Sequence, residues 1–447
     1  MTLTFDLDDL AARAAALVEA ATRAGADAAD AVVVIANSRS VTIREEKLEE
    51  SESEESSELV LREFCGRRSA FVSATFADSP ERIAERAVAM ARAAPEDPFA
   101  GLADPAEHGK HPVDLELFDP TDVSTDELVG HARAAEHAML GVPGVTRSGG
   151  TSASIAASGL VLVTSNGFSG AQVASRHGLS AMAVAGDGTR MERDYWYVAR
   201  RHLADLPAAA EIGRIAAERA VRRLEPQRLT TRTATVVFEP RAATSLVGHL
   251  LGAINGAAIA RGTSFLKSRL GERIFREGVR VSDDPLKPRG LGSRAFDGEG
   301  LAAGPLDLVS DGVLSTWLLD TASARELSLR SNGRAARGLG APRPSSTNVT
   351  LHAGETPRDR LLQDVGTGLY VTDLIGQGVN LVTGDYSRGC AGYWIENGEL
   401  AYPVSEITIA GNLRDMFARM VVADDPVEFS TTTAPTVAIE GMTIGGA

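Results

Sequence analysis

The chain has 447 residues, with 45 Lys and Arg against 60 Asp and Glu, a net charge of −15. Apolar residues make up 44% and charged residues 23%, which suits a globular chain of two or three domains with a full core. That balance excludes a largely basic surface of the kind that grips nucleic acid or an anionic membrane, and no apolar stretch reaches the ~18 residues of a membrane helix.

In chain order, the acidic start Met1–Asp9 lacks the basic residues of a secretory signal. Leu7, Leu10, Ala14, Leu17, Val18 and Ala21 recur at three- and four-residue steps, which predicts an amphipathic helix ending near Gly25. Ala31–Ile35 reads as a strand, and Ser38–Phe76 alternates at period two in places. Within it, the acids from Glu45 to Glu58 predict a long solvated hairpin, whose charge also blocks edge-to-edge pairing; an acidic binding strip is the competing reading. Ser79-Pro80 opens a helix to about Ala94. Residues 95–120, rich in Pro, Asp and Gly, read as a linker.

A second unit repeats the element order without a residue-level repeat. Ser124–Glu127 resembles a capping box and starts a helix to about Leu140. Strands are predicted at Ser152–Thr164, Ser169–Ala185 and Met191–Arg200, with Asn166-Gly167 as a hairpin turn, and a helix at Leu206–Arg223. Beyond Glu225-Pro226 the chain is denser in Gly and strands dominate. Ala234–Phe238 is a buried strand, and a helix runs from Pro240 or Arg241 to about Ala260. Gly304–Ser310 with Val313–Leu319, Gly366–Leu381, Gly392–Glu396 with Leu400–Val404, and Thr436–Ile439 follow as strands. The expected fold class is α+β: two helix–β-meander–helix units, 1–94 and 121–225, joined by the 95–120 linker and followed by a sheet-rich domain, 226–447.

The motifs that carry chemistry are sparse. A zinc hydrolase needs several His, Cys or carboxylate donors, two of them one helical turn apart. His108 and His111 read as a surface pair in the linker, and His131 and His137 lie six apart on a helix. His249 sits in an apolar helix with no carboxylate within four residues. No Gly-x-Ser-x-Gly or phosphate-loop pattern occurs. Ser387 and Cys390 lie in Gly384–Gly392, read as a Gly-rich loop between strands, with no His near them in sequence. Cys65 and Cys390 are the only cysteines, too few for a disulfide framework and natural in a reducing cytoplasm. One charge feature stands out: Arg325, Arg330, Arg334, Arg337 and Arg343, opposed only by Glu326, read either as a basic loop for a carboxylate, acidic peptide or partner, or as a solvated loop.

Five blocks resemble the TldE (PmbA) family, also called modulators of DNA gyrase: Leu246–Gly256, Ser310–Leu319, Gly366–Val379, Thr383–Gly398 and Pro403–Met416. The likeness is firm over about 230–420. It implies a cytosolic metalloprotease built from this chain and a homologous TldD-like subunit, acting on unfolded or short peptides. In the TldD half, a helical His-Glu-x-x-x-His and a late Cys hold zinc. Aligned on Val247–His249, Thr244 and Ser245 stand here where the first His and the Glu would be, and only His249 remains. The tail Phe429–Pro435 has no Cys. The resemblance therefore implies no cofactor in this chain and zinc in the partner, with Asp385, Tyr386, Ser387, Arg388, Arg334 and Arg337 as candidates for lining a peptide cavity. A homodimer in isolation stays open; nucleic acid and membrane are not expected partners. Two alternatives stand beside this reading: a regulatory protein acting alone, as the gyrase name suggests, and a metal-independent hydrolase using Cys390 or Ser387.

Overall fold

A computed structural model of the chain describes residues 5–109 and 113–446; His111, read above as one of a surface pair, lies outside the described residues. The first half builds one sheet from both predicted units. Helix α1 (Leu7–Ala24) starts where Asp6 accepts the Asp9 amide at 3.0 Å. It ends at Gly25, whose φ of 100° is the left-handed cap that an L side chain resists. Strands β1 (Ala28–Arg44) and β2 (Lys47–Cys65) form the long hairpin, turning at Glu45 and Glu46, both at positive φ. Strand β3 (Arg68–Ala74) and helix α2 (Pro80–Ala93) close the unit. The second unit runs α3 (Thr125–Leu140), β4 (Val145–Thr164), β5 (Ser169–Ala185), β6 (Glu192–Arg200) and α4 (Ala209–Val221). The capping box is present: Glu127 donates its amide to Ser124 Oγ and accepts the Ser124 amide at 2.7 Å.

The strand order is β3-β2-β1-β4-β5-β6, antiparallel throughout. Strand β1 pairs with β4 from Asp30–Thr164 to Ile43–Thr151, so the units merge edge to edge. Ala31 and Val33 pack under α1 and α2, while Val41 and Ile43 pack under α3 and α4. These positions differ by even numbers, so all four helices cover one face of the sheet. The predicted acid-rich hairpin is observed: β2 is exposed from Lys47 to Glu55 and buried from Leu59 to Phe64.

The second half begins with β7 (Arg232–Phe238), α5 (Pro240–Ala253) and α6 (Gly256–Ala260). The single helix predicted to Ala260 is thus two. Asn255 breaks it, accepting the amides of Ala257 and Ala258 as the cap of α6. The chain continues through β8 (Val281–Asp283), β9 (Leu306–Ser310), β10 (Val313–Leu314), α7 (Thr321–Glu326), β11 (Ala335–Ala336), β12 (Arg343–Pro344), β13 (Val349–Leu351) and α8 (Arg358–Val365). It ends with β14 (Gly368–Ile375), β15 (Asp385–Glu396), β16 (Glu399–Asn412), α9 (Leu413–Arg419), β17 (Val421–Val422), β18 (Val427–Phe429), β19 (Thr432–Ala434) and β20 (Val437–Gly445).

One sheet has the order β16-β15-β14-β7-β20-β17, and β16 also pairs with β20, so five of its strands close into a ring. A second sheet runs β10-β9-β8-β13-β19-β18. Leu246 and Leu250 of α5 share one buried core with Phe238, Leu369, Trp394 and Ile409 from the ring. The segment read as a Gly-rich loop, Gly384–Gly392, is mostly strand β15. Its last glycine serves close packing: a Cβ on Gly392 would stand 1.8 Å from the Tyr370 carbonyl oxygen.

The described parts of the 95–120 segment, which include a single 3-10 turn at Pro105–Glu107, are held from both sides. Arg325 donates to the carbonyls of Phe99 and Leu102, and the Leu117 carbonyl accepts the Ser175 amide at 2.9 Å. No helix among the described residues is long and apolar enough to cross a membrane.

Candidate functional site

Helix α5 is fixed at its first turn. Arg241 donates to Asp194 of β6 at 2.9 Å and to the Thr372 carbonyl of β14 at 2.9 Å, and lies 3.3 Å from Glu239. Arg219 of α4 reaches Glu239 at 2.5 Å. These pairs hold the Asp194 carboxyl below its ordinary range against the opposing effect of burial. They tie the second unit to the helix that follows, a role that sequence spacing does not signal because the partners lie 20 to 47 positions apart.

One turn on, the hydroxyls of Thr244 and Ser245 each donate back to the helix, to the carbonyls of Arg241 and Ala242, both at 2.7 Å. His249 faces Tyr386 of β15, ring centroids 5.9 Å apart and nearly perpendicular. The His249 Nε2 and the Tyr386 hydroxyl are both buried, and neither has a hydrogen-bond partner among the described residues. Burial, helped by the charge of Arg388, pulls His249 down to about 4, so the ring is neutral at pH 7.

The donor set does not fit zinc. A stable site needs three or four donors of nitrogen, sulfur or carboxylate type. Here one imidazole nitrogen stands beside two hydroxyls already bonded to backbone. Among the described residues, no group of three or more His, Cys, Asp or Glu is placed to hold a metal ion.

The remaining candidates divide. Asp385 is exposed and accepts from Thr383 at 2.6 Å and Asn412 at 3.2 Å. Ser387 is exposed, and Arg388, half-buried, donates to the Ile375 carbonyl at 3.3 Å. Tyr386 points inward to His249. Strand alternation therefore places Ser387 and Tyr386 on opposite faces of β15. Cys390 is buried, and burial pushes its thiol up to about 12, which leaves it protonated and a poor nucleophile. A hydrolase built on Cys390 has no support in this geometry.

The reading of Arg334 and Arg337 as members of a solvent-facing loop, basic or merely solvated, is corrected. Arg334 is fully buried, donating to Asp283 at 2.5 Å and to the Gly304 carbonyl at 2.6 Å. Arg337 is buried against Asp30 of β1. The Gly, Ser and Asn residues around them suggest solvent. They form instead tight connections that carry the arginines to carboxylates 51 and 307 positions away, which no local pattern reveals. No hydrogen bond or ion pair among the described residues joins either to the 385–388 segment.

Comparison with known proteins gives three adjoining matches to the PmbA/TldA metallopeptidase domains: domain 1 over 29–91, the central domain over 118–224 and the C-terminal domain over 231–446. Metalloprotease PmbA of Escherichia coli O157:H7 is 39% identical over 373 residues, 82% of this chain and 81% of that protein. The Metalloprotease PmbA homolog of Haemophilus influenzae is 35% identical over 433 residues, 96% of this chain and 94% of that protein. A crystal structure of a Bacteroides thetaiotaomicron protein described as a modulator of DNA gyrase superposes with a TM-score of 0.90 at 26% identity, covering 99% of this chain and all of that one. TldE of Thermococcus kodakarensis shares the fold, with a TM-score of 0.84 at 20% identity over 96% of this chain and 99% of that one.

Proposed function

The chain belongs to the PmbA/TldD family, and from that premise we propose that it is the metal-free, TldE-like subunit of a two-chain peptidase. The observation that carries this reading is the donor set of α5. Thr244 and Ser245 are bonded to their own helix, and His249 is a lone neutral imidazole packed on Tyr386. Such a helix keeps the fold of a metallopeptidase without the ligands that lower the pKa of a water. Zinc and bond cleavage then belong to a TldD-like partner, and this chain walls the peptide cavity. Asp385 and Ser387, on the outward face of β15, line it in this reading, while Arg388 lies on the His249 side, and the compartment is the cytoplasm.

Unfolded or short peptides are the proposed substrates, bound in extended form through backbone hydrogen bonds that are indifferent to sequence. The test is reconstitution. The purified chain, a His-Glu-x-x-x-His homologue, and their mixture are assayed for peptide hydrolysis and metal content. Hydrolysis by the mixture alone, with metal only in the homologue, is the expected result. Hydrolysis by this chain alone would remove the reading.

A further inference from the structure

A small cavity of about 100 Å³ lies between the amino-terminal sheet and the 294–298 segment. Val32, Leu160 and Leu162 give it an apolar floor, and Arg294, Arg337 and Asp297 stand in its wall. Arg337 spends one nitrogen, Nη2, on Asp30, while its Nε and Nη1 find no acceptor among the described residues. Arg294 has an unpartnered Nε and one long bond, 3.5 Å to the Ser345 carbonyl. Asp30 is already shared, since Arg62 donates to it at 2.5 and 2.8 Å. Asp297 is occupied by the amides of Glu299, Leu301 and Ala335. Three guanidinium groups thus face two committed carboxylates. Glu299 beside them is pushed up to about 7 by burial, so it supplies only part of a counter-charge at neutral pH. Buried guanidinium donors without acceptors are costly, and an oxyanion satisfies them two at a time.

Gln172 and Phe296 also line a wider groove of about 510 Å³, bordered by Leu115, Leu117 and Ala171. Strand β5 forms its side. It pairs with β4 from Ser169 onward but with β6 only from His177. The Ser175 amide points away from β4, to Leu117, so Val173 and Ala171 turn their backbone groups to the same side by strand alternation. Among the described residues this short stretch of edge, Ala171 to Val173, has no strand partner, and it can accept an added strand.

We propose that the groove binds the end of an extended peptide along β5, with its free C-terminal carboxylate seated between Arg294 and Arg337. The proposal rests on the peptidase reading above and names the substrate feature that this subunit recognises. It is tested on the full chain alone, by fluorescence anisotropy with a labelled apolar hexapeptide carrying a C-terminal acid or a C-terminal amide. The acid should bind at least about tenfold more tightly, as for a charge-assisted pair. Arg337→Gln should abolish that preference. Because it also strips Asp30 of a partner, Arg294→Gln is the second variant, and it should reduce the preference severalfold in a folded chain. Equal binding of acid and amide, or an unchanged preference in Arg294→Gln, would overturn the proposal. Cleavage by the reconstituted pair is read separately: cleavage without acid preference removes the carboxylate seat and leaves the subunit assignment intact. Acid preference without cleavage supports the seat and counts against the assignment.

Discussion

Helix α5 and the 294–337 region both bury polar groups against a sheet, but they meet the cost of burial in different ways. Past the first turn of α5 the groups are neutral or turned back on the backbone: Thr244 and Ser245 bond to their own helix, and His249 sheds its proton. Around Arg334 and Arg337 full charges are buried: Arg334 is matched by Asp283, Arg62 and Arg337 share Asp30, and Arg294 has no ion pair among the described residues. The first region carries the family's recognisable helix with a single imidazole where a metal site needs several donors. The second carries no motif and retains strong, directional charge. A familiar sequence block is therefore a poor guide to where charge is buried in this chain.

The largest expected effect tests the charged region. Arg334→Ala leaves the buried Asp283 without its cation, and should cost about 3–5 kcal/mol in urea unfolding. A loss under about 1 kcal/mol would show that the pair is not buried as described. At α5 the contrast predicts the opposite sign. His249→Leu removes an unpartnered buried nitrogen and should be neutral or stabilising by about 1 kcal/mol. Marked destabilisation would mean that His249 has a partner.

The regions should also separate by pH. His249 sits at about 4 in the folded chain against an ordinary value of 6.5. The unfolded state binds the extra proton, so its contribution to stability is present above pH 6.5 and is lost as pH falls towards 4. Glu299 is raised from 4.5 to about 7. Its folded state holds the proton, so its contribution is present below 4.5 and is lost as pH rises through 7. Unfolding curves of His249→Leu and Glu299→Gln between about pH 4 and 8 should lose these opposite slopes one at a time. The smallest effect concerns Cys390. Cys390→Ala should leave peptide hydrolysis by the reconstituted pair unchanged, and a lost activity would revive the thiol as a participant.

Much of the fold is legible in the sequence. The helical spacing of Leu10, Ala14, Leu17 and Ala21 marks α1, the Ser124–Glu127 box marks the start of α3, and Ser169–Ala185 matches β5. These signals are local. The short helices α7, α8 and α9 escape such a reading because six to eight residues leave little periodicity. The Gly384–Gly392 stretch misleads because its glycine density reads as loop, whereas Gly392 allows two strands to approach. At the candidate site, the identities of Thr244, Ser245 and His249 are readable, but their backbone bonds and the packing of His249 on Tyr386 are not. Nor is the burial of Arg334 and Arg337, because their partners Asp283 and Asp30 are set by tertiary contacts.

The most direct measurement is the zinc content of the tag-free chain purified alone, set beside its peptide hydrolysis. No stoichiometric zinc, and no hydrolysis until a TldD-like partner is added, is the expected result. One zinc per chain, with hydrolysis that a chelator abolishes, would contradict it.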